Sequence, residues 1–242
     1  MTTSARRITV SGIAVEVVRK DIKNLHLGVY PPAGRVRVAA PIAISDDAVR
    51  LAVIEKLAWI KRQRVLFAGQ PRQSPREMVS GESHYFMGRR YRLRVHEQDG
   101  PQRVAIRGLR MLDLFVRPGA TIEQREDVLL RWYREQLKAL IPPLLEKWQP
   151  VMRVRVRDWG VKRMKTKWGT CSIDAGRIWV NLELAKKPMR CLEYIVVHEM
   201  VHLLERNHGD QFARLMDRLL PDWSTRRAEL QRSVLGSENW DY

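Results

Sequence analysis

The run Val196-Val197-His198-Glu199-Met200-Val201-His202 limits the possible folds of this 242-residue chain more than any other segment. Helical positions four apart stand one turn apart on one face, so both imidazoles can reach a single metal ion while Glu199 reaches a water beside it. Ile195, Val196, Val197, Met200, Val201, Leu203 and Leu204 surround the pair, which predicts a helix buried on several sides. Unligated histidines in such a helix would need other polar partners.

His208 is the candidate third ligand. At about 100° per residue a continuous helix would point it roughly 120° away from His202, so the helix has to break before it. The sequence predicts a helix to about Arg206 and a break at Asn207-His208-Gly209, where Asn tolerates the left-handed conformation and Gly209 turns freely. Glu205, Asp217 and Glu229 are the alternative third ligands. Glu205, three residues after His202, is also a candidate to orient a ligand through its second nitrogen; an exposed ion pair is the plainer reading. Three neutral imidazoles leave a coordination position open, the arrangement of a catalytic rather than a structural Zn²⁺, with Glu199 as general base.

Forty-four Lys and Arg against 27 Asp and Glu leave a formal charge of +17, which attracts polyanions without regard to sequence. Nucleic acid is therefore a candidate partner, although no recognisable nucleic-acid-binding motif accompanies the charge. Arg153, Arg155, Arg157, Lys162, Arg163, Lys165 and Lys167 concentrate it; the first three alternate, and on a strand would share one face. No segment has the apolar length of a membrane span, so no membrane partner is expected. Only Cys171 and Cys191 are present and the first residues lack a signal-peptide core, which points to the cytoplasm. Oligomeric state is left open.

The pattern along the chain is α+β. Short strands at 8–10, 14–18, 25–29 and 36–39 predict a β-meander, and Ser45-Asp46-Asp47 caps a helix over about 48–68 with Val49, Val53, Leu57 and Ile60 on one stripe. Pro71 to Pro75 reads as a loop. A hairpin spans 85–95, with further strands at 103–106 and 111–116. Thr121 caps a long helix to about Glu146, interrupted or ended near Pro142-Pro143, and strands follow at 151–156 and 177–182. Beyond the metal helix, which opens near Pro188, come helices at about 211–220 and 225–234 and a tail at 236–242. No repeat is visible. The change of character near 120 suggests a β-rich region, 1–120, containing one helix, and a second region, 121–242, that carries the metal helix.

Trp168-Gly169-Thr170-Cys171-Ser172, the spacing of Gly176, Ile178, Asn181 and Leu184, Pro188, and His198 through His208 resemble the YgjP-like metal-dependent hydrolases, which are similar to WLM and SprT-like zinc metallopeptidases. Pro41, Trp59-Ile60 and Gly88-Arg89-x-Tyr91 extend the resemblance over nearly the whole chain. It implies a zincin-like α+β core over 121–242, His198, His202 and His208 as zinc ligands, Glu199 as general base, and protein or peptide substrates. Thr170 stands where many relatives carry Ser. The ligand spacing also occurs in metzincins, but their Gly would fall at Glu205.

The residues themselves leave rival readings. Asn181 either faces substrate or braces a turn, and Trp168 is either cleft wall or core. An extended peptide could add to the strand 177–182. The same metal site could instead serve a nucleotide phosphohydrolase, with the cations of 153–167 on phosphate, or be a non-catalytic zinc in a basic nucleic-acid-binding protein.

Overall fold

Apolar residues at every second position give the N-terminal strands one buried face each. A computed structural model describes residues 5–30, 33–68, 76–164 and 167–232, and in it these strands are β1 (Ala5–Val10), β2 (Ile13–Lys20), β3 (His26–Tyr30) and β4 (Arg35–Pro41). Their order is β1-β2-β4-β3 with β2 and β4 parallel, which corrects the expected meander. Burial explains the order: Val36, Val38 and Ala40 put β4 inside the sheet, whereas β3 buries only Val29 and stays at the edge. The single helix expected over 48–68 is two, α1 (Asp46–Glu55) and α2 (Leu57–Ala68). Ser45 Oγ accepts the Ala48 N–H at 3.2 Å and caps α1. Val49, Val53 and Ile60 complete this unit's core. The proposed loop at 71–75 and tail at 236–242 lie outside the described residues.

The described residues divide into two compact units at 75/76. The sequence suggested 120, where strands give way to helices. The four strands after residue 76 share one core with the metal helix, and so belong to the second unit.

Those strands, β5 (Ser83–Phe86), β6 (Arg89–Glu97), β7 (Arg103–Arg107) and β8 (Met111–Val116), are ordered β5-β6-β8-β7 with β6 and β8 parallel. This is the topology of the first sheet over again, a repeat in fold that the residues do not display. The β5–β6 turn is Met87-Gly88, with φ of 46° and 77°, the left-handed pair of a two-residue hairpin. A Cβ on Gly88 would stand 2.8 Å from Pro188 Cγ, and the Met87 and Gly88 amides donate to the Ala185 and Lys186 carbonyls. The hairpin tip is thereby fastened to the start of the metal helix.

Helix α3 (Ile122–Met152) opens with a capping box between Thr121 and Gln124 and runs straight through Pro142, Pro143 and Pro150, where an interruption was expected. Each interior proline costs about 3 kcal/mol. Leu137, Ile141, Leu144, Leu145 and Trp148, buried on both sides of the pair, contribute roughly 1.5–3 kcal/mol each and offset a cost of that size. The strand expected at 151–156 is absent: Val151 and Met152 finish α3, and Arg153 ends it in a left-handed cap. Arg153, Arg155 and Arg157 nonetheless point to solvent while Val154 and Val156 pack on the core.

The remaining elements enclose the metal helix. Strands β9 (Asp158–Lys162), β10 (Gly169–Ser172) and β11 (Arg177–Asn181) form a sheet ordered β10-β11-β9, and a 3₁₀ turn over Leu182–Lys186 leads to α4 (Met189–Val201). Helices α5 (Asp210–Leu219) and α6 (Trp223–Arg232) close the unit. Cys191, Leu192, Val196, Val197, Met200 and Val201 are all fully buried, as the apolar run predicts. Among the described residues no helix is long and apolar enough to cross a membrane.

Candidate metal centre

Helix α4 ends at Val201 with His202 as its cap, several residues before the expected Arg206. The reason is a tightening of the last turn, in which the Leu203 and Leu204 amides donate to the Met200 and Val201 carbonyls three residues back. Glu205 Oε1 then accepts the Asn207 N–H at 2.9 Å and holds the loop that brings His208 back. Gly209 caps α5 with φ −91°, a conformation open to any residue, so the turn does not depend on glycine there.

The result is a three-histidine group. One ring nitrogen each from His198, His202 and His208 lies within 4.8 Å of the others, and the Nε2 atoms of His198 and His208 approach to 3.0 Å. His202 Nδ1 sits 3.1 Å from the Glu205 carbonyl oxygen, to which it donates, leaving Nε2 with its lone pair. Glu205 thus orients His202, and does so through its backbone carbonyl. The alternative third ligands are engaged elsewhere: Asp217 accepts from Trp223 Nε1, and Glu229 binds Arg190.

Electrostatics keeps His198 and His208 neutral. Burial, reinforced by His202, His208 and Arg227, lowers the His198 pKa to about 3, and burial with His202 and Arg227 lowers that of His208. His198 Nδ1 is buried without a hydrogen-bond partner. Neutral, converging nitrogens are the donor set a divalent metal requires, and these residues fit one. Burial also pushes Glu199, 4% exposed, up to about 8, against the pull of Lys167. A divalent cation beside it would favour the carboxylate.

Glu199, the three histidines, Trp168 and Tyr194 line a cleft of about 900 Å³, with β10 along one side. Strand β10 is the edge of its sheet, whereas β11 is paired on both sides, so a peptide adding as a further strand would meet β10 and not the 177–182 strand the sequence suggested. A Cβ on Gly169 would stand 2.5 Å from Glu199 Oε1 and 2.7 Å from its Cγ. The β10 backbone therefore lies directly on the Glu199 side chain. Cys171 also faces the cleft, its thiol pushed up to about 11 by burial and by Glu199, and so stays protonated.

Asn181 corrects the substrate-facing reading. It is fully buried, its Nδ2 donates to the Met164 and Lys167 carbonyls at 2.7 Å each, and its Oδ1 accepts from Met164 and Glu183. It braces the segment leading into β10. Trp168 is half-buried, packed on the core at one side and lining the cleft at the other. Of the cations between 153 and 167, Lys167 lines the cleft and Arg153, Arg155, Arg157, Lys162 and Arg163 do not; Lys165 lies outside the described residues. Tyr194 and Arg227 also line the cleft, and the sequence did not single them out. Tyr194 sits four before His198, a spacing that would have revealed it. Arg227 is brought by α6 and left no local signal.

The YgjP-like family model, described as a metallopeptidase domain, matches residues 23–233. The chain belongs to the YgjP-like family. It is accordingly a metal-dependent peptidase, a hydrolase whose family implies a divalent metal and protein or peptide substrates. Among solved structures this YgjP-like chain is similar to the metallopeptidase zymogen of Pyrococcus abyssi abylysin, at 17% identity and a TM-score of 0.37, over 40% of this chain and 96% of that one. That likeness is too slight to bear on function. No curated protein matches.

Proposed function

We propose that this YgjP-like chain is a zinc peptidase in which His198, His202 and His208 hold the metal and Glu199 is the general base. The observation that carries the reading is the convergence of three imidazoles within 4.8 Å beside a buried carboxylate in one cleft. Imidazole donors suit zinc, and three of them leave room for water and a substrate carbonyl. When bound, the cation supplies Lewis acidity that polarises the scissile carbonyl and makes water more acidic. Glu199 takes the proton from the attacking water and returns it to the leaving amine. His202, fixed by the Glu205 carbonyl, stays in the tautomer that ligation needs. Strand β10 pairs with an extended substrate backbone, and Trp168 packs against a substrate side chain. We assign the enzyme to the cytoplasm, in keeping with two free thiols.

The test is chelation and reconstitution on an unfolded protein substrate. Cleavage should vanish on removal of the metal and return with about one equivalent of Zn²⁺ per chain, but not with Mg²⁺. Cleavage indifferent to chelator, or phosphate release from nucleoside triphosphates in its place, would reject the proposal.

A further inference from the structure

The sheet β5-β6-β8-β7 buries Tyr91, Leu93, Val104, Leu112 and Leu114 on one face, which fixes what its other face presents. Alternation sends Arg90, Arg92, Arg94 and His96 outward from β6, Arg103 and Arg107 from β7, and Asp113 and Phe115 from β8. Register gathers them. Arg92, Met111 and Arg107 form one row, Arg94 and Asp113 the next, and His96, Phe115 and Arg103 the third. All five arginines are exposed. Asp113, the one acid of the group, lies beneath them at 1% exposure, 2.7 Å from Arg107 and 3.1 Å from His96. Among the described residues Arg90, Arg92 and Arg103 have no carboxylate partner. His96 stacks on Phe115 with ring centroids 4.7 Å apart, and the Arg103 guanidinium lies 4.1 Å from the Phe115 centroid.

This face is not a consequence of topology. The first sheet has the same strand order, yet its corresponding row alternates in sign, Arg7, Glu16, Arg37, with Glu16 bonded to Arg37 at 3.3 Å. Like charges on neighbouring strands repel, and a sheet face under no other demand avoids them. The basic side chains of the patch are all arginine and none is lysine, the choice that suits forked hydrogen bonding to phosphate.

We propose that this sheet face binds single-stranded nucleic acid. Arg90, Arg92 and Arg94 repeat every second residue, about 6.6 Å along β6, a line of charges suited to successive phosphates of one strand. Arg103 and Arg107 flank that line across β8. The patch is an open sheet face with no helix on it to enter a duplex groove, so a single strand is the occupant it fits. None of these residues lines the peptidase cleft, and the inference stands apart from the zinc proposal.

The test compares the full chain with two double variants of equal charge change, Arg92→Glu/Arg103→Glu on the face and Arg155→Glu/Arg157→Glu elsewhere on the same unit. Binding of a short fluorescein-labelled single strand of mixed sequence is followed by anisotropy across a salt series, with circular dichroism melts confirming that each variant folds. The face variant should lose at least about tenfold in affinity, and its salt slope should shrink by about 1.4, the value for two lost phosphate contacts on a single strand. The control should change by less than about threefold, and peptide cleavage should be unaffected in both. Absent binding, equal losses in the two variants, tighter binding of duplex, or displacement by polyglutamate as readily as by unlabelled strand would each overturn the proposal.

Discussion

Substituting Glu199→Gln is expected to lower kcat/KM for peptide cleavage by about a thousandfold, within the range general-base catalysis contributes, while the metal stays bound. The two effects separate because Glu199 lines the cleft beside the imidazoles without belonging to the three-histidine group. Gln matches the carboxyl side chain in shape but cannot accept the proton of the attacking water. Steady-state kinetics and metal content measured on one preparation decide the matter. Retained turnover in a metal-loaded variant would place the base on another residue, and loss of metal with activity would make Glu199 part of the ligand set.

The second large effect is expected from a methyl group. Gly169→Ala places a carbon 2.5 Å from Glu199 Oε1 and 2.7 Å from Cγ, closer than side chains tolerate. Glu199 is buried and Gly169 is held in register with Val180 in the β10–β11 ladder, so the carboxylate, the freer end of the contact, has to move. Misplacing a catalytic group by about 1 Å can cost on the order of a hundredfold, and the loss should appear in kcat with metal content unchanged. A rise in KM alone would locate the damage in peptide pairing along β10, and full activity would show that Glu199 has slack the structure does not indicate.

The metal helix was legible because two periodicities coincide in it: His198 and His202 four apart, and an apolar run on the remaining faces. His208 was legible as a candidate ligand, and the need for a break before it followed because a continuous helix cannot deliver it; the place of the break, at His202, was not legible, since the 3₁₀ tightening is a matter of backbone bonds to Met200 and Val201. Asn181 misled for a general reason. A polar residue at a strand end reads alike whether it faces solvent or satisfies the backbone of three residues from within. The glycine of Trp168-Gly169 carried no physical meaning until Glu199 was found against it, because that contact joins residues thirty apart. The strands of the two four-stranded sheets were readable from alternation, but their order was not: parallel pairing of β2 with β4, and of β6 with β8, depends on which strands pair along both edges. The basic sheet face was invisible for the same reason, since its cations come from two strands, β6 and β7, that the central β8 brings together.

The most direct test of the central claim is the zinc content of the purified chain beside His202→Ala, measured by inductively coupled plasma mass spectrometry after equilibration with zinc. The three-histidine site predicts about one zinc per chain in the wild type and almost none in a variant that remains folded by circular dichroism. A folded wild type that takes up no zinc, or a His202→Ala protein that holds it undiminished, would contradict the account.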